Sequence, residues 1–166
     1  GQERFKKQYR RDGQNYKISP WSLTWDNEFY YLIGYDSDAA MIKHYRVDKM
    51  SNIEITNDRR DGQKHFEQFD MGLYTKCHFG MFSGSEEAVR LRFTNDLIGV
   101  VLDRFGRDIF INNEDDEHFT VQVKVAVSPQ FLSWVFGFGN KVKLLSPERV
   151  VAAFRQQAKE TMELYS

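Results

Sequence analysis

Between Phe29 and Tyr35 the chain reads Phe-Tyr-Tyr-Leu-Ile-Gly-Tyr. A seven-residue run this rich in rings is too short for a core helix and suits a pleated, half-buried surface. Side chains alternate along a strand, so Phe29, Tyr31, Ile33 and Tyr35 share one face and Tyr30 and Leu32 the other. Neighbouring segments alternate too. Phe5, Lys7 and Tyr9 read as a strand, followed by the turn Arg11-Asp12-Gly13-Gln14. Tyr16 and Ile18 alternate up to Ser19-Pro20, where proline should end the pairing. Trp21–Trp25, Ile42–Val47 and a last short strand over Met50–Ile55 follow. Five or six short strands in about 55 residues predict a small barrel.

Asn57–Lys64 is a polar break carrying Arg59-Arg60-Asp61-Gly62, the best linker candidate. Phe66, Phe69 and Met71 could begin a short helix. Beyond it the character changes. Ala88–Phe93 alternates as a strand. Thr94-Asn95-Asp96 can cap a helix through Leu97, Ile98, Val101 and Leu102 that stops at Gly106. Asp108–Ile111 and Phe119–Val127 read as a hairpin around Asn112–Glu117. Ser128-Pro129 opens a helix ended by Gly137 and Gly139. Val142–Leu145 is a strand, and Ser146-Pro147-Glu148 starts a final helix with Val150, Phe154, Ala158, Thr161 and Tyr165 on one face. The predicted class is α+β: a barrel at 1–57, a connecting segment at 58–85, and a β-α-β-β-α-β unit with a C-terminal helix at 86–166, the ferredoxin-like pattern.

The strand after the aromatic one is basic. Lys43, Tyr45, Val47 and Lys49 lie on one face, and Ile42, His44, Arg46 and Asp48 on the other. Cations interleaved with tyrosines suit a nucleotide or single-stranded nucleic acid, the charge holding phosphate and the ring stacking a base. The same pattern also describes a solvated face with an internal Arg46–Asp48 pair, just as Phe29–Tyr35 also describes a plain core strand.

Charge narrows the classes further. The whole chain is balanced at -1. Residues 1–64 carry 12 Lys+Arg against 10 Asp+Glu, a net of +2, and residues 65–166 carry 11 against 14, a net of -3. Any anion site is therefore expected in the first half. No apolar run approaches the ~18 residues of a membrane span. The polar start Gly1–Phe5 predicts no secretory leader and points to a fragment with sequence upstream. A lone cysteine, Cys77, allows no internal disulfide, which fits a reducing compartment.

Catalytic and metal signals are poor. Cys77 and His78 are adjacent, so on a strand they would face opposite ways. His44, His65, His78 and His118 show no paired ligand spacing. Glu114–Glu117 sits in a predicted turn, and Gly137-Phe138-Gly139 reads as a helix stop rather than a dinucleotide fingerprint. Trp134 and Phe138 read as core or dimer contacts. No enzyme, cofactor or metal is expected.

Three segments carry a family resemblance: Ser19-Pro20-Trp21-Ser22-Leu23, Tyr30-Tyr31-Leu32, and Lys43-His44-Tyr45-Arg46-Val47-Asp48-Lys49-Met50. In this order and spacing they resemble the WYL domain of bacterial transcription regulators. Val89–Phe93, Val101–Gly106, Ser133–Gly139 and Leu145–Glu148 resemble the extension that follows such domains. The chain departs from the pattern at Tyr30, where Trp is usual, at Lys43 and Lys49, where Arg is usual, and at Tyr45, where Phe is usual. Lysine keeps the charge and loses the planar fork.

The resemblance implies an Sm-like, SH3-type barrel and a ferredoxin-like extension that helps dimerise. It implies a cytoplasmic effector sensor, with DNA contacted through an N-terminal winged helix-turn-helix outside this sequence. A nucleotide-like or oligonucleotide effector is expected against Tyr31, Lys43, His44, Tyr45, Arg46 and Lys49. Alternation forbids all six from sharing one face, unless a curved barrel brings the edges of both faces to a cleft. The alternative is a dimerisation module with no ligand.

Overall fold

A computed structural model describes residues 15–166, so the expected Phe5–Tyr9 strand and the turn at 11–14 lie outside the described residues. The chain divides into two compact units, Gly1–Phe69 and Asp70–Ser166. The architecture is α+β with two antiparallel sheets.

The first unit contains a three-stranded meander of β1 (Ile18–Asp26), β2 (Phe29–Asp36) and β3 (Met41–Arg46) in that spatial order. Two expectations fail here. Pro20 does not end a strand: β1 runs through it, and a bulge between Pro20 and Ser22 absorbs the irregularity. An edge strand tolerates proline because its outward N–H needs no ladder partner. Met50–Ile55 is not a strand either. The chain leaves β3 through a 3₁₀ turn, Val47–Lys49, and Asn52 adopts a positive φ of 53°. Ile53 and Ile55 then stand out in solvent. Their alternation mimics a strand, but among the described residues no neighbour pairs with it. Among the described residues the sheet therefore does not close into a barrel.

One face of this sheet is core: Tyr31, Ile33 and Tyr35 are buried. Residues 60–66 pack against it. The Trp21 indole donates to the Asp61 carbonyl at 2.8 Å, the Asp61 amide donates to Ser19 Oγ at 2.8 Å, and Trp21 stacks on Phe66. His65, on the short helix α1 (Gln63–Glu67), stacks on Tyr35 at 4.7 Å. Gly62 makes this approach possible. Its φ is +83°, and a β-carbon there would stand 2.3 Å from Tyr35 Cγ. Only glycine meets both conditions cheaply.

The second unit opens with α2 (Met71–Cys77) and a 3₁₀ turn at Phe79–Met81. It then runs β4 (Ser85–Thr94), α3 (Ile98–Phe105), β5 (Ile111–Asn113), β6 (His118–Val127), α4 (Pro129–Phe136), β7 (Val142–Ser146) and α5 (Glu148–Glu163). The chain order from β4 to β7 is the expected β-α-β-β-α-β, and the sheet order is β5-β6-β4-β7. Strict alternation puts Val89, Leu91 and Phe93 of β4, and Phe119, Val121, Val123 and Val125 of β6, on one buried face. Phe131, Leu132 and Val135 of α4, Val101 and Phe105 of α3 and Val150 of α5 cover that face. Trp134 packs among Phe79, Phe93, Phe105 and Phe138, partly buried against the core. Ser128 caps α4 as expected, accepting from the Phe131 amide. The apolar stripe of α5 serves the core only at its start: Tyr165 is 88% exposed.

Candidate ligand site on the first sheet

The β2–β3 register decides which predicted residues can act together. Tyr31 pairs with Arg46, Ile33 with His44, Leu32 with Tyr45, and Gly34 with Lys43. Directly paired residues of antiparallel strands share a face. Tyr31, His44 and Arg46 therefore lie on the core face with Phe29. Lys43 and Tyr45 lie on the opposite face. Lys49 follows in the 3₁₀ turn rather than in the strand.

The core-face group makes a compact cluster. The Arg46 guanidinium carbon sits 3.6 Å from the centre of the Phe29 ring, in cation–π geometry. Its Nε and Nη2 donate to the two oxygens of Asp48 at 2.9 and 2.8 Å, a bidentate fork. Lys49 reaches the same carboxylate at 3.4 Å. His44 meets the Tyr31 ring edge-on at 5.9 Å. The Arg46 fork, helped by Lys49, holds the Asp48 carboxyl down at about 2. Burial pushes the Tyr31 phenol up, and the Arg46 charge partly offsets it. Tyr31 thus remains a neutral hydroxyl beside a guanidinium at neutral pH.

Lys43 and Tyr45 meet a different partner. Asp36 is 1% exposed at the end of β2. Its Oδ2 accepts from Lys43 Nζ at 2.6 Å and from the Tyr45 hydroxyl at 3.4 Å, and its Oδ1 from the Ala39 amide at 3.1 Å. A buried carboxylate needs a cation nearby, and Lys43 supplies it. The same side of the sheet exposes Leu23, Trp25 and Tyr30, with Trp25 and Tyr30 edge-to-face at 4.7 Å.

The six predicted residues thus separate into Tyr31, His44 and Arg46 on one face, Lys43 and Tyr45 on the other, and Lys49 beyond both. Phe29 and Asp48 belong to the first group and were not among the predicted site residues. Register is the signal that finds them: Phe29 lies two residues before Tyr31, which faces Arg46. Asp36 gave no comparable signal, because Asp36-Ser37-Asp38 reads as an ordinary turn.

Comparison with known families agrees with this division of the chain. Residues 1–55 match the model of the WYL domain, and residues 85–162 match that of the WCX domain. The chain carries a WYL domain followed by a WCX domain. Its WYL domain carries the sheet described above, and its WCX domain carries the second sheet. No curated protein matches the sequence. Among solved structures the WYL–WCX pair is similar to proteasome accessory factor B/C (PafBC) of Arthrobacter aurescens, at 14% identity and a TM-score of 0.36. The similarity covers 89% of this chain and 23% of that one. The chain thus spans about a quarter of that protein's length, and the likeness is too distant to place a residue.

Proposed function

We propose that this chain is the effector-sensing region of a transcription regulator, and that its WYL domain takes an anionic, nucleotide-like ligand or single-stranded nucleic acid on the Phe29–Tyr31–His44–Arg46 cluster. The observation that carries the reading is Arg46, laid on an aromatic ring and forked onto a carboxylate. A guanidinium so arranged is pre-formed for a phosphate, since both anions present two oxygens to the same fork. Asp48 fills that place intramolecularly, and a ligand phosphate would replace it. Tyr31 and His44 would supply a hydroxyl, an imidazole and ring surface. Lys49, already at the same carboxylate, would follow the anion. Lys43 and Tyr45 serve the buried Asp36 and hold the strand ends.

The reading assigns binding rather than catalysis, with the bound state altering how the regulator engages DNA. It places the protein in the cytoplasm as a homodimer. It is supported by the family and by the cluster, and no helix among the described residues is long and apolar enough to cross a membrane. The sheet order β5-β6-β4-β7 with two helical crossovers supports a ferredoxin-like reading of the second unit. The three-stranded meander supports a partial Sm-like barrel in the first.

The test is a fluorescence titration with labelled short oligothymidylate and with cyclic mononucleotides, on wild type and Arg46→Met. Binding by wild type that is weakened in the variant supports the site. Equal binding by both proteins refutes it. No binding by wild type, together with a stable dimer in sedimentation, favours a purely dimerising module.

A further inference from the structure

The second unit holds a group of side chains that the ligand site does not use. Cys77 ends α2, His78 caps it, and Glu86 lies one residue into β4. One ligating atom from each of Cys77, His78 and Glu86 lies within 4.8 Å of the others. Adjacency in sequence does not separate Cys77 from His78, because they stand at a helix end rather than in a strand. The helix ends at His78, whose backbone is extended (φ -100°, ψ 99°), and a ring nitrogen lies within 4.8 Å of the thiol.

Three features suit this group to a metal ion. The donor set is one sulfur, one imidazole nitrogen and one carboxylate oxygen, the combination that zinc accepts with a fourth position open to water. The imidazole is oriented by a backbone acceptor: His78 Nδ1 lies 2.9 Å from the Tyr74 carbonyl oxygen, and its ring stacks on Tyr74 at 4.1 Å. A carbonyl can only accept, so Nδ1 carries the proton and Nε2 carries the lone pair. This second-sphere arrangement is typical of a metal-bound histidine. Finally, Cys77 and His78 are 8% and 6% exposed while the Glu86 side chain is 40% exposed. The soft donors are sheltered, and the carboxylate faces the side from which an ion would enter.

We infer that Cys77, His78 and Glu86 form a binding site for a thiophilic divalent cation of the zinc class, with Nε2 as the histidine ligand. Tetrahedral zinc spaces its donors by about 3.3–3.6 Å, so the side chains must close by ~1 Å. Two costs accompany binding. Zinc takes cysteine as the thiolate, so Cys77 must release its proton to solvent on binding. Glu86 also forms an ion pair with Lys124. The metal must take the carboxylate from that ammonium, which makes Lys124 a built-in competitor. The inference does not depend on the ligand reading of the first sheet.

Cobalt(II) is the probe, because it fills zinc sites and gives a thiolate-to-metal charge-transfer band in the near ultraviolet. The chain has one cysteine, so such a band reports Cys77 alone. Titrating reduced protein with Co²⁺ should give the band at one ion per chain, and Zn²⁺ should bleach it. Glu86→Gln alters a half-exposed side chain, keeps the fold, and should weaken cobalt binding at least tenfold. Lys124→Met should tighten it severalfold, which a merely structural lysine would not do. His78→Ala should abolish the band. Absence of the band in wild type, or a band whose affinity is the same in wild type, Glu86→Gln and Lys124→Met, overturns the inference.

Discussion

Lys43→Met separates a structural role for Lys43 from a ligand-binding one. The change keeps most of the aliphatic stem and removes the ammonium. Asp36, 1% exposed, then loses its 2.6 Å partner and retains the Ala39 amide and the Tyr45 hydroxyl. Removing one member of a fully buried ion pair costs about 3–5 kcal/mol. The Lys43 side chain is 31% exposed, so water can partly replace it, and the loss falls to that of one charge-assisted hydrogen bond, about 2 kcal/mol. That corresponds to roughly a 30-fold rise in the open population of this sheet. Hydrogen–deuterium exchange of peptides spanning β2 and β3 reads it directly, with β4 and β6 as an internal reference that should not change. Adding Asp36→Asn should recover part of the loss, because the buried negative charge is gone. If Lys43→Met leaves β2 and β3 exchange as slow as in wild type while weakening oligonucleotide binding, then Lys43 is a ligand residue and its assignment to Asp36 is wrong.

Other outcomes follow from the same geometry. Asp48→Asn should strengthen oligothymidylate binding by freeing the Arg46 fork, whereas Arg46→Met should lower the slope of log affinity against log salt by about 0.7, one phosphate contact on a single strand. The depressed Asp48 carboxyl adds stability above its ordinary pKa of about 3.9, and that contribution is lost as pH falls through about 2; thermal melts across this range should show wild type falling toward Asp48→Asn. Gly62→Ala should destabilise the first unit by more than ~1 kcal/mol, since it combines a positive φ with a clash on Tyr35, and exchange of the β2 peptide should report it. Ser128→Ala should cost the second unit about 1 kcal/mol in urea unfolding followed through Trp134, through loss of the α4 cap.

Local chemistry was legible wherever one segment carried its own signal. The alternation in Val89–Phe93 and Phe119–Val127, the Ser128-Pro129 helix start and the Gly137 stop depend on side-chain period and backbone freedom, which neighbours do not alter. They placed the elements from β4 to β7 except β5, which is Ile111–Asn113 rather than the expected Asp108–Ile111 and so falls in what reads as the turn. The same reasoning misjudged Pro20 and Met50–Ile55. Whether a strand survives a proline, or forms at all, depends on which edge faces a partner, and that is a property of the sheet.

The sequence by itself determined the residue types: a cation-and-tyrosine strand beside an aromatic one, with an Arg46–Asp48 pair within reach. It also determined, through the two-residue period, that the six candidate residues could not share a face. Only the tertiary structure decided the grouping. Cross-strand register joined Arg46 to Phe29 and Tyr31, and the end of β2 gave Lys43 to a buried Asp36. A helix terminus turned Cys77 and His78 from opposed neighbours into donors beside Glu86, a residue nine positions away. Each of these depends on atoms brought together by chain reversal, and spacing along the sequence carries no record of that distance.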